Sequence, residues 1–142
     1  VACNNNVMFV YMGGKQRVPW NVRHVRIHKS VKIISARAFR WCANLVSVEM
    51  HDGVEIIEEE AFWGCSSLRG IKLTGVGRIG RRAFAGCGAL ETVEFGDKLK
   101  FIEERAFCDC ISLTDVELSE DIHTIGHRAF RGCHPLSRIA IP

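Results

Sequence analysis

The dipeptide Ala-Phe recurs at Ala38-Phe39, Ala61-Phe62, Ala83-Phe84, Ala106-Phe107 and Ala129-Phe130, at spacings of 23, 22, 23 and 23 residues. Self-similarity at a fixed period of this size is the mark of a repeat architecture, and it restricts the fold more than any local propensity does. Three residues after each Phe comes Cys42, Cys65, Cys87, Cys110 or Cys133, and three further on comes Leu45, Leu68, Leu90, Leu113 or Leu136. Four residues before each Ala stands Ile34, Ile57, Ile79, Ile102 or Ile125. This spacing of 4, 1, 3 and 3 is helical and predicts a helix of about two turns. Ser35, Gly80 and Gly126 fall where its N-cap would lie, and Gly64, Gly86 and Gly132 suit a left-handed exit. After Leu the period drops to two, in Val48/Met50, Ile71/Leu73, Val93/Phe95, Val116/Leu118 and Ile139/Ile141, which predicts a short strand.

One strand and one short helix cannot enclose a core, so the copies must stack, each laying its apolar residues over the next. The pattern I-x-x-x-A-F-x-x-C-x-x-L-x-x-V-x-L resembles the BspA-like branch of the leucine-rich repeats, over about residues 22 to 142. The resemblance implies an α/β repeat: a right-handed solenoid of about five coils, with parallel strands on one side and short helices on the other. The strand halves, such as Leu68-x-x-Ile71-x-Leu73, match the general L-x-x-L-x-L signature, but the usual Asn/Cys ladder position after it is missing. Repeat three is one residue short, at Thr74-Gly75, where length variation marks a turn. Upstream, Val22, Val25, Ile27 and Val31 align one period before Leu45, Val48, Met50 and Val54 without the Phe or Cys, as a repeat fading into a cap does. Residues 1–21 are expected to form an N-terminal capping hairpin, and residues 22–142 one continuous repeat domain.

Charge and composition exclude more than they assign. Nineteen basic against sixteen acidic side chains leave +3, too small and too mixed to imply nucleic acid. No apolar run approaches the roughly 18 residues of a membrane span, which predicts a soluble chain. Val1 opens the sequence without a signal-type segment, so the compartment is hidden. The chain stops at Ile141-Pro142 just after a strand, and an end-to-end contact through the C-terminal coil is expected there.

Five of the seven cysteines are repeat positions. Stacked coils would bring them within disulfide range, but small thiols flanked by Phe and Leu are expected to be inert, reduced packing. Cys3 and Cys108 lie off the column and are the candidate reactive thiols. His24, His28 and His51, with Glu49 and Asp52, are the one metal-like grouping, read as solvated strand-edge residues for want of a ligand motif. No nucleophile elbow, phosphate-binding loop or local nucleophile–base motif occurs, so no catalytic, cofactor or metal residue is assigned.

The outward positions remain. One strand column reads Arg26, Glu49, Lys72, Glu94, Glu117, in which the first four alternate in sign and predict cross-strand ion pairs. Glu94, Asp115 and Glu117 form a small acidic patch. On the helical side Arg37, Arg40, Arg81, Arg82, Arg105, Arg128 and Arg131 are interleaved with Glu58, Glu59, Glu60, Glu103 and Glu104, a solvated mixed face or an arginine stripe for an acidic partner. Trp41 and Trp63 follow Phe on successive coils, where the core pattern does not require them. With Arg40 they have the composition of an interface anchor, unless the N-terminal hairpin folds over them with Trp20. The expected role is a non-catalytic module that binds another protein through Trp41, Trp63, Arg40, Glu94, Asp115 and Glu117, with no nucleic acid and no cofactor. A structural subunit or piece of a longer solenoid is the alternative, and an enzyme with an unrecognised site the third reading.

Overall fold

A computed structural model describes residues 7–141. The chain winds through repeating coils, each contributing a strand to one parallel stack, a two-residue strand to a second, and a run of tight turns that leads to the next coil. The first stack contains β1 (Met8–Tyr11), β2 (His24–Ile27), β4 (Ser47–Glu49), β6 (Gly70–Leu73), β8 (Thr92–Phe95), β10 (Asp115–Glu117) and β12 (Arg138–Ala140). The second contains β3 (Ile33–Ile34), β5 (Ile56–Ile57), β7 (Arg78–Ile79), β9 (Phe101–Ile102) and β11 (Thr124–Ile125). All pairings are parallel, with Val25 beside Val48, Ile71 beside Val93 and Val116 beside Ile139. The second stack forms one five-stranded sheet, whereas the first divides into β1-β2-β4, β6-β8 and β10-β12. Neither β4 and β6 nor β8 and β10 are joined by a strand ladder.

The sequence predicts helices after the Ile column, and none is present among the described residues. The spacing of three arises instead from successive turns: Ala38, Arg40, Cys42 and Leu45 donate their N–H groups to the carbonyls of Ser35, Arg37, Phe39 and Cys42. The intervening N–H groups leave the coil. Those of Arg37, Phe39 and Trp41 donate to Glu59, Ala61 and Trp63 of the next coil, at 3.0, 2.7 and 2.7 Å, and the same scheme recurs from coil to coil. A two-turn helix in isolation is marginal, while stacking gives every second amide a partner one coil away. Ile34 and its equivalents are thus strand residues, as β-branched side chains favour. Gly80 and Gly126 are not N-caps: a Cβ at Gly126 would lie 2.5 Å from the Glu103 carbonyl carbon, so glycine permits the close approach of coils.

The Phe side chains form the spine of the core. Phe39, Phe62, Phe84, Phe107 and Phe130 stack with ring centroids 5.0, 5.0, 5.2 and 5.4 Å apart and planes within 10° of parallel. Tyr11 extends the stack, 5.1 Å from Phe39, and its hydroxyl accepts the Ser35 N–H at 3.2 Å. Residues 8–11 join the solenoid as a parallel first strand beside β2. At the other end, Ile125, Ile139 and Ile141 are exposed and Phe130 is only partly buried.

Candidate functional site

The turn face builds the first candidate surface. Trp41 occupies the left-handed region, φ 62°, at the position where the next two coils carry Gly64 and Gly86. Its indole lies over Gly64 so closely that a Cβ there would come within 2.3 Å of the ring. The glycine is a seat for the tryptophan. Trp63, one coil on, presents its ring 4.8 Å from Trp41 at 38°. The Arg40 guanidinium sits 4.9 Å from the Trp63 ring centre and 5.7 Å from that of Trp41, with Arg82 at 5.9 Å from Trp63. Such cation–π contacts are worth about 0.5–1 kcal/mol each at exposed sites.

Glu60 holds this arrangement from below. It is the one buried charged residue among those described, 6% exposed, and its carboxylate accepts from Arg37 Nε at 3.0 Å and faces Arg40 Nη1 at 3.7 Å. A buried carboxylate needs such compensation, and in return it fixes where Arg40 lies. Trp41, Trp63 and Arg40 are thus brought together. The N-terminal segment does not cover them among the described residues: Trp41 is 54% exposed, and Trp20 is 75% exposed and forms no ring pair with either.

The acidic residues lie elsewhere. Glu94 and Glu117 line a groove of 860 Å³ that runs across β4, β6, β8 and β10 of the first stack, with Asp97 and Lys72. Asp115 stands beside Arg138 on the neighbouring strand. The floor includes Val48, Met50 and Phe95, which pack on the core yet remain partly exposed. These floor residues escaped the sequence reading, which took them as ordinary inward positions. Of the expected cross-strand pairs only Arg26–Glu49 forms, at 2.7 Å. Lys72 and Glu94 share a register position without an ion pair, and the missing β4–β6 ladder leaves Lys72 unpaired with Glu49 as well.

The thiol column lies inside. Cys65, Cys87, Cys110 and Cys133 each donate to the carbonyl of Phe39, Phe62, Phe84 or Phe107 on the preceding coil, at 3.1–3.2 Å. Burial pushes the Cys42 thiol up to about 11 and that of Cys87 up to about 12. No disulfide joins the described cysteines. Cys108 is half-buried, and burial followed by the Asp109 charge raises its thiol too, contrary to what a reactive thiolate needs. Cys3 lies outside the described residues. The histidines do not converge: His24 meets Ser47, His28 meets Ser30, and His51 donates from Nε2 to the His28 carbonyl while accepting the Gly53 N–H. Among the described residues no group of three His, Cys, Asp or Glu is placed to hold a metal ion, and no helix is long and apolar enough to cross a membrane.

With the parallel coils and their Phe spine in view, the decisive comparison is with protein families: six copies of the BspA type leucine-rich repeat region match residues 32–142. The chain belongs to the BspA-type leucine-rich repeat family. Among solved structures, this BspA-type chain is similar to a leucine-rich repeat protein of T. pallidum, with 32% identity and a TM-score of 0.78 over 82% of this chain and 55% of that one. It is also similar to one from Eubacterium ventriosum, with 30% identity and a TM-score of 0.72 over 82% of this chain and 32% of that one. A Bacteroides ovatus leucine-rich repeat protein aligns over 100% of this chain and 47% of its own at 21% identity and a TM-score of 0.63, a likeness of fold alone. The BspA-type chain therefore spans about half, or a third, of the length of the first two. No curated protein matches it. As a leucine-rich repeat it has the extended side-chain ladders suited to protein binding or scaffolding.

Proposed function

We propose that this BspA-type chain is a non-catalytic interaction module that holds another protein through Trp41, Trp63 and Arg40 on its turn face, with Glu94, Asp115 and Glu117 as a second, acidic contact. The observation that carries this reading is the exposed Trp41 ring. It is seated on Gly64 and joined to Trp63 and to an Arg40 that a buried Glu60 holds in place. A large aromatic kept rigid and open beside an ordered arginine is the composition of a binding hot spot, because little side-chain freedom remains to be lost on contact. No catalytic, cofactor or metal residue is assigned, and no nucleic acid is expected. The test replaces Trp41 and Trp63 separately by Ala and measures melting temperature alongside capture of partners from a native extract. Unchanged melting of Trp41→Ala with lost capture supports the contact site; a large fall in melting temperature with capture retained assigns the ring to packing.

The alternative, a structural piece of a longer solenoid or assembly that makes end-to-end contacts, is favoured by the similar solved repeat proteins, of which this chain covers 55% and 32%. A native mass measurement on the source material distinguishes the two.

A further inference from the structure

We infer that the sheet groove of one copy receives the tryptophan–arginine ridge of a second copy, so that the chain associates side by side with itself. This rests on the reading of the ridge as a contact surface and names its occupant. The two faces carry opposite unspent charge. On the ridge, the carboxylates of Glu59, Glu60, Glu103 and Glu104 are already engaged by arginines, Arg105 among them through Glu104, while Arg82 and Arg128, and of the ridge glutamates Glu58, make no ion pair among the described residues. In the groove, Glu94, Asp97 and Glu117 are likewise without ion pairs among the described residues, above an apolar floor.

Both ladders belong to the same coils, so both advance by the same step, given by the Phe rings at 5.0–5.4 Å. A parallel copy that matches one step matches the rest. With no offset Arg82 faces Lys72, a repulsion. With an offset of one coil, Trp41 meets Val48 on β4 and Met50 just after it, Trp63 meets Lys72 on β6, Arg82 meets Glu94 on β8, and Arg105, which also holds Glu104, meets Glu117 on β10. Each meeting is then apolar, cation–π or of opposite charge. A basic peptide satisfies the charges but lacks a ladder of this pitch. Because the two surfaces differ, the contact is heterologous and does not close at two copies.

The experiment is sedimentation and light scattering of the 142-residue chain across a concentration series at low and high salt. The expected average mass rises past the dimer at low salt, and the association constant falls by about tenfold or more at high salt. Glu94→Gln/Glu117→Gln neutralises the groove and Arg82→Gln/Arg105→Gln the ridge. Each alone should weaken association about tenfold, as the loss of two exposed ion pairs does. An equimolar mixture should favour a heterodimer at concentrations where neither variant associates alone, since each chain keeps one working face. Unchanged melting temperatures show that the variants are folded. A wild-type chain that stays monomeric at every concentration overturns the inference, as does binding of an oligoarginine peptide by such a monomer. Association of undiminished strength in both variants also overturns it and moves the contact to the Ile139–Ile141 edge. None of these outcomes touches the Trp41→Ala capture test, so the module reading stands or falls separately.

Discussion

A thiol in the column does two things at once: it fills an apolar slot between Phe and Leu, and it donates to the Phe carbonyl of the coil before it. Alanine keeps neither. Cys87→Ala is expected to destabilise by about 1–2 kcal/mol in chemical denaturation, a small cavity plus a weak hydrogen bond. The same burial makes stability depend on pH. The folded chain holds the Cys42 and Cys87 protons up to about 11 and about 12, where an ordinary thiol releases its proton near 9.0. Above that value the unfolded chain has already lost protons that the folded chain keeps, so the stabilising contribution is full below pH 9.0 and is lost as pH rises through 11 and 12. Denaturant midpoints measured from neutral to alkaline pH should fall, and fall less steeply in a Cys87→Val chain. Reagents for thiols should label Cys108 before any buried column cysteine.

The turn ladder is the element the sequence conceals. Inward residues, the strand positions around Ile71, Val93 and Val116, and the Phe stack are legible because apolar periodicity reports burial directly. Periodicity cannot say whether a residue four before Ala belongs to a helix or to a separate strand, and Ile57 and Ile79, whose spacing predicts a helix, lie in β5 and β7. Nor does it reveal that Arg37, Glu60, Arg82, Arg105 and Arg128 take φ near 54–61°, since such residues rarely enter the left-handed region without a neighbouring coil to hold them there. The Trp41–Trp63–Arg40 grouping is legible because residues one or two after Phe on adjacent coils must lie close together. The groove was not, because the breaks beside β4 and β10 depend on local pairing and not on residue type. Far-ultraviolet circular dichroism should lack the double minimum of an α-helix. Arg128→Gly should be neutral or stabilising by up to about 1 kcal/mol as strain is relieved, whereas Arg128→Val should destabilise by more than that. Thermal unfolding of the pair checks the sign.

Across the whole molecule, each coil touches only its neighbours, so damage in the middle is felt on two sides and damage at an end on one. Phe84, between Phe62 and Phe107 and fully buried, should cost about 3–5 kcal/mol when replaced by Ala, and the partly buried Phe130 clearly less. Equal losses in urea titrations would show that the stack is not graded in this way. The turn face also has a direction. Arg37, Phe39 and Trp41 donate toward the second coil, Arg82, Phe84 and Gly86 toward the fourth, and no turn amide of this set points back. Their peptide dipoles therefore add along the axis, as in an α-helix, although among the described residues no helix carries them. The face is electrically polar: its positive pole lies toward the last coil and its negative pole toward the first. Coils can extend such a stack only in one sense, because a coil laid on in reverse would set donor against donor.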